Sequence, residues 1–244
     1  SSQGRFAEAQ PWFERAAAAA ELGDIHGRVD RQSLGSSLHQ VGYCLSSQGR
    51  FAEAQSWFER AVAAKEQGDL HGRVNRESLG TSLHQVGYCL SSQGRFAEAQ
   101  PWFERAVSAA EQGDIHGRVD HDSLGSSLHQ VGDCLSSQDR FAEAQLWFER
   151  AAGASEQGDI HGRVDRQSLG TSLHQVGYCL SSQDRAAEAL PWFEQAVEMA
   201  RQGNVFGRVD AERLRDFSLS LAGCLRKLGR DGDADAVETG IPPA

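Results

Sequence analysis

Five serines, Ser1, Ser46, Ser91, Ser136 and Ser181, each open a near-copy of one 45-residue unit, which runs in its second copy from Ser46 to Leu90 as SSQGRFAEAQSWFERAVAAKEQGDLHGRVNRESLGTSLHQVGYCL. A fixed period of this length constrains the fold more tightly than any other property of the chain. So short a unit cannot bury its apolar face alone and must bury it against its neighbours. The chain is therefore expected to be a solenoid, and its function a property of the surface that solenoid presents.

Period and punctuation place two helices in each unit. The first runs from about Arg76 to Gln93, with Asn75 as N-cap (Asp30, Asp120, Asp165 and Asp210 in the other copies) and Gly94 just past its end. Leu79, Leu83, Val86 and Leu90 make its apolar stripe. The second runs from about Phe96 to Gln112 and ends at Gly113, with Phe96, Ala99, Phe103, Ala106 and Val107 in the stripe and Trp102 on its flank. A one-residue glycine turn between them forces an antiparallel hairpin. The connection to the next hairpin, Gly68 to Asn75, repeats closely enough to mark it as a structured loop.

On this pattern residues 1–228 form the array. It comprises an unpaired helix at 5–22, four helix pairs at 31–67, 76–112, 121–157 and 166–202, and a drifted first helix at 211–228. Residues 229–244 form a degenerate C-terminal cap and tail, with Asp231 where phenylalanine is expected. Beginning on an unpaired helix, the array reads as cut from something longer.

Composition narrows the setting. A mean hydropathy of -0.50 and the lack of an apolar run near the roughly 18 to 20 residues of a membrane span argue against a membrane protein, and a cytoplasmic location is expected. A net charge of -10 repels phosphate backbones and anionic lipid, which disfavours nucleic acid and membrane surfaces as partners. Cys44, Cys89, Cys134, Cys179 and Cys224 fall once per repeat. Helices pack roughly 8 to 10 Å apart, beyond the about 7 Å a disulfide spans, so these are read as small buried hydrophobes.

The hairpin residues Leu83, Val86, Gly87, Leu90, Gly94, Phe96, Ala99, Phe103 and Ala106 resemble a tetratricopeptide repeat, with small residues where the helices approach and large ones filling the gaps. The long period, the extended loop and the run from Ala99 to Ala106 are most similar to the kinesin-light-chain-like subgroup. The resemblance implies an all-α, right-handed superhelical solenoid of antiparallel helix-turn-helix repeats. Its units also form the C-terminal arrays of many bacterial signalling ATPases and of some ligand-activated proteases. That implies a non-catalytic scaffold for protein binding or ligand sensing, within a larger bacterial signalling or regulatory protein.

Chemistry finds no foothold in the motifs. Each of the first four loops carries a histidine (His26, His71, His116, His161), and so does each of the first four first-type helices (His39, His84, His129, His174). The helix histidines recur singly every 45 residues rather than as a converging set of three or four ligands, so no metal site is expected. No nucleophile is paired with a base and no glycine-rich phosphate loop follows a strand, so neither catalysis nor a cofactor is expected. The loop arginines Arg28, Arg73, Arg118, Arg163 and Arg208 either pair with a neighbouring carboxylate (Asp24, Asp69, Asp114, Asp159) or read a phosphate.

Offsets of three and four place a polar stripe on each first helix, separate from the apolar one. The family resemblance puts first helices on a concave surface. The track is then Ser36, His39, Gln40 and Tyr43; Thr81, His84, Gln85 and Tyr88; Ser126, His129, Gln130 and Asp133; and Thr171, His174, Gln175 and Tyr178. These side chains suit an extended peptide or a docking helix of a protein partner. The alternative is a solvated face repeated by recent duplication. Asp133, where Tyr43, Tyr88 and Tyr178 stand in the other full pairs, is either drift or a local preference for a basic ligand group. A structural spacer that self-associates through its exposed N-terminal helix is the competing function.

Overall fold

Asp30, Asp120, Asp165 and Asp210 cap the first helix of their repeats through a carboxylate that accepts backbone N–H groups of the first turn, and the Asn75 carboxamide oxygen accepts from Ser78 N at 3.0 Å. Each such bond satisfies a donor that has no intrahelical acceptor. The computed structural model describes residues 2–24, 26–114, 116–159, 161–204 and 206–241, with side chains from residue 6 onward.

Among the described residues the first-type helices are α2 (Arg31–Ser46), α4 (Arg76–Ser91), α6 (His121–Ser136), α8 (Arg166–Ser182) and α10 (Ala211–Lys227). The second-type helices are α1 (Ser2–Leu22), α3 (Phe51–Glu66), α5 (Phe96–Glu111), α7 (Phe141–Gln157), α9 (Ala186–Gln202) and α11 (Asp231–Thr239). Two units divide the chain, Ser1–Val119 with α1 to α5 and Asp120–Ala244 with α6 to α11. Within each, antiparallel hairpins stack side by side: α3, α7 and α9 pack on their own first helix and on the next, while α1 packs on α2, α5 on α4 and α11 on α10.

The turn inside a hairpin is longer than the one glycine expected from sequence. In α4 the helix stops at Ser91, and residues 92–95 turn, with Gln93 N bonded to Leu90 O, Gly94 N to Ser91 O and Arg95 N closing back on Leu90 O. The last carbonyls are thus satisfied by tight local bonds that need one residue with positive φ, which Gly49 and Gly94 supply at 78° and 75°. Asp139 and Asp184 hold the same conformation at 59° without glycine's freedom.

The core of each hairpin is one interlock. Gly87 lies against the Phe103 ring so closely that a Cβ there would sit 2.8 Å from its Cε1, and Gly42, Gly132 and Gly177 lie equally close to Phe58, Phe148 and Phe193. Phe58, Phe103 and Phe148 are fully buried as a result. Burying each such ring contributes about 2 to 3 kcal/mol. In the last hairpin Glu238 stands where the phenylalanine would be, and the glycine facing it has become Ala222. All five cysteines are free and buried.

Candidate functional site

The loop between hairpins is a closed structure. Asp69 Oδ1 accepts the backbone N–H of His71 at 2.7 Å and of Arg73 at 3.0 Å, and Arg73 Nη2 lies 2.7 Å from Asp69 Oδ2. These bonds hold the Asp69 carboxyl at about 2, below the usual carboxylate range, led by the backbone bond from Arg73. Arg28, Arg118 and Arg163 make the same pair with Asp24, Asp114 and Asp159. Of the two roles open to the loop arginines, these four serve their own loop. At Arg208 the partner position is Asn204, whose Oδ1 accepts the backbone N–H groups of Phe206 and Arg208.

The first-helix residues separate into three kinds. The tyrosines are presented to solvent, with Tyr43, Tyr88 and Tyr178 45%, 43% and 47% exposed. Each ring is steadied edge-on against a phenylalanine of the preceding repeat: Phe6 for Tyr43 (centroids 5.7 Å apart), Phe51 for Tyr88 (5.8 Å) and Phe141 for Tyr178 (6.0 Å). Ser36, Gln40, Thr81 and Ser126 are exposed, whereas Gln85, Gln130, Thr171 and Gln175 are half-buried. Ser36 and Thr81 turn their hydroxyls back onto the helix, donating to Gln32 O and Glu77 O at 3.0 Å.

The histidines are committed to the fold. His39, His84, His129 and His174 meet the rings of Phe58, Phe103, Phe148 and Phe193 edge-on, with centroids 5.0 to 5.4 Å apart. His39 Nδ1 shares a hydrogen bond of 2.9 Å with Ser82 Oγ of the next first helix, and His129 Nδ1 one of 3.1 Å with Ser172 Oγ. In the last pair Phe217 replaces that serine and stacks on His174 at 4.5 Å, while Ser220 supplies the hydroxyl at 2.8 Å from Nε2. Burial pushes His39, His84 and His174 down to about 4. Burial disfavours their charged form, and the most exposed part of each stripe is its tyrosine where one is present.

Two features escaped the sequence reading. Lys65 is 2% exposed in α3, and its Nζ donates to Ser82 Oγ at 2.8 Å and to Ser78 O at 2.9 Å. Burial without a carboxylate partner lowers it to about 8. The signal was there: the other copies carry Ala20, Ala110, Ser155 and Ala200 at this position. On the second-type helices, Arg60 lies over the Trp57 ring at 4.4 Å and pairs with Glu21 at 2.8 Å, and Arg105 lies over Trp102 at 4.6 Å and pairs with Glu66 at 2.7 Å. The three-residue spacing from Trp to Arg encodes that stack.

Among the described residues no group of three or more His, Cys, Asp or Glu is placed to hold a metal ion, and no helix is long and apolar enough to cross a membrane.

Comparison with the curated proteins finds no match. Solved structures match in fold. BtubC (BKLC) from P. vanneervenii is 15% identical with a TM-score of 0.71, over 98% of this chain and 94% of that one. The nearly identical TPR-like repeats of Podosopora anserina, assigned to a kinesin light chain, are 19% identical with a TM-score of 0.65, over 88% of this chain and 95% of that one. YrrB, described as a TPR protein with an unusual peptide-binding site, is 16% identical with a TM-score of 0.55, over 82% of this chain and 81% of that one. Models of the tetratricopeptide repeat match residues 1–67, 80–112 and 169–204, more than half of the chain between them. With the glycine–phenylalanine interlock recurring in each full hairpin and the same fold in these neighbours, the chain belongs to the tetratricopeptide repeat family.

Proposed function

We propose that this chain is a protein-binding scaffold whose first-helix faces, within each unit, hold an extended peptide or docking helix of a protein partner. A tetratricopeptide scaffold serves protein–protein interaction in general, and the choice of face is our reading. One observation carries it: tyrosines recur on the first helices α2, α4 and α8, nearly half exposed, each braced by a phenylalanine. A braced aromatic with a hydroxyl at its tip offers contact area and a hydrogen bond with little rotamer entropy left to lose. Tyr43 and Tyr88 supply this in the first unit and Tyr178 in the second, with Gln40, Gln85 and Gln175 alongside. In line with the family resemblance, we place the array in a larger bacterial signalling or regulatory protein of the cytoplasm.

The test is selection of displayed random peptides on the chain, then affinity measurement on Tyr43→Ala/Tyr88→Ala and Tyr178→Ala variants. Loss of affinity by about tenfold or more in one of these variants supports the face. Unchanged affinity in all of them rejects it.

A second reading has its own observation. Ala16 is exposed in α1, although Ala61, Ala106, Ala151 and Ala196 at the same repeat position are at most 1% exposed, and Trp12 and Leu22 are 69% and 81% exposed. That open apolar face supports a self-associating spacer. Light scattering that finds one monomeric mass across a wide concentration range would sink it.

A further inference from the structure

We infer that Asp133 makes the first-helix face of the second unit selective for peptide segments that place a lysine or arginine against its carboxylate. This rests on the peptide-binding reading above and adds to it the chemistry of the ligand.

Asp133 occupies on α6 the position that Tyr43, Tyr88 and Tyr178 hold on their helices, so it sits on the ligand-facing stripe beside Ser126 and Gln130. Its side chain is 36% exposed, which is enough for a ligand to reach and too little for full hydration. Among the described residues it forms no ion pair with a lysine or arginine, and His129 Nε2 stands 3.6 Å from its Oδ2. That distance is beyond a hydrogen bond. The ring is 17% exposed, packed on Phe148 and bonded to Ser172 through Nδ1, and burial lowers its pKa against the pull of Asp133, which disfavours its charged form. Burial likewise raises the Asp133 pKa, offset only in part by His129, as for a carboxylate whose hydration is incompletely replaced. On the adjacent α8 the matching residue is Tyr178, with neutral Gln175 and Thr171 along the same stripe, so no cation of the neighbouring helix answers Asp133 either. A ligand ammonium or guanidinium would supply the missing charge through a charge-assisted hydrogen bond. The net charge of -10 adds long-range attraction for a basic segment.

The experiment selects random twelve-residue displayed peptides on the whole chain, on Asp133→Tyr, which installs the residue of the other three full pairs, and on Asp133→Asn. Affinities are then measured at two salt concentrations, with Tyr178→Ala as a marker of the face. The expected result is enrichment of Lys and Arg on the native chain. Replacing one basic residue of a selected peptide by norleucine should weaken binding about tenfold or more to the native chain and hardly at all to the Asp133 variants, with a smaller difference at high salt. Peptides that bind native and Asp133→Asn chains equally, yet lose affinity with Tyr178→Ala, overturn the role of Asp133 and leave the face standing. Peptides indifferent to Tyr178→Ala as well, or no retained peptides at all, overturn both.

Discussion

A single methyl group is enough to test the interlock of a hairpin. The Gly87→Ala side chain would meet the buried Phe103 ring at 2.8 Å, so the ring or the helices must shift. Overpacking of this kind costs about 1 to 3 kcal/mol, so the urea midpoint should fall by that equivalent. Ala222 opposite Glu238 shows the same site accepting a methyl once the ring is gone. Gly87→Ala combined with Phe103→Leu should therefore recover part of the loss. The turn aspartate at 139 makes the opposite case. Its φ of 59° strains an L-residue, and the side chain is exposed, so Asp139→Gly should stabilise by about 0.5 to 1 kcal/mol in the same assay.

Between helices, burial of titratable groups links stability to pH. His39, His84 and His174 sit near 4 in the folded chain against 6.5 for a free side chain, because burial disfavours their charged form. The unfolded chain thus binds more protons between these values. Stability present above pH 6.5 is lost as pH falls through 4, by at most about 3 kcal/mol per ring. The urea midpoint should drop steadily below pH 6.5, and less so in His174→Phe, which keeps a ring against Phe217. Lys65 acts in another window. Its folded value near 8 lies below 10.5, so stability rises as pH climbs from 8 to 10.5. Lys65→Met, which keeps the stem that fills the space beside Gly35, should remove that alkaline rise. An unchanged slope would mean the ammonium finds water in solution.

At the scale of the whole chain, stability in a repeat array is a sum of unit and nearest-neighbour terms. Helix α1 packs on α2 and α11 on α10, each with a neighbour on one side, whereas α3 lies between α2 and α4. Hydrogen exchange should therefore find the lowest protection in α1 and α11. Slower exchange in α1 at high protein concentration would point instead to self-association covering its apolar face.

The period, the capping residues and the two apolar stripes were legible in the amino-acid sequence by itself, because each depends on spacing along one helix and on the close match between copies. Leu38, Val41 and Leu45 are buried where their three- and four-residue offsets put them. The sequence could not fix the residues at the seam edges, where a helical offset specifies a direction but the occupant of that direction lies some 40 residues away. There the tertiary structure decided. It turned His39 inward onto Phe58 and Ser82 while leaving Tyr43 exposed on the same stripe, and it committed four loop arginines to their own aspartates. It buried Lys65 against two oxygens, and it left the Asp133 carboxylate half-covered without a cation. Spacing sets which way a side chain leaves its helix, and only the packing of neighbouring helices sets what it meets.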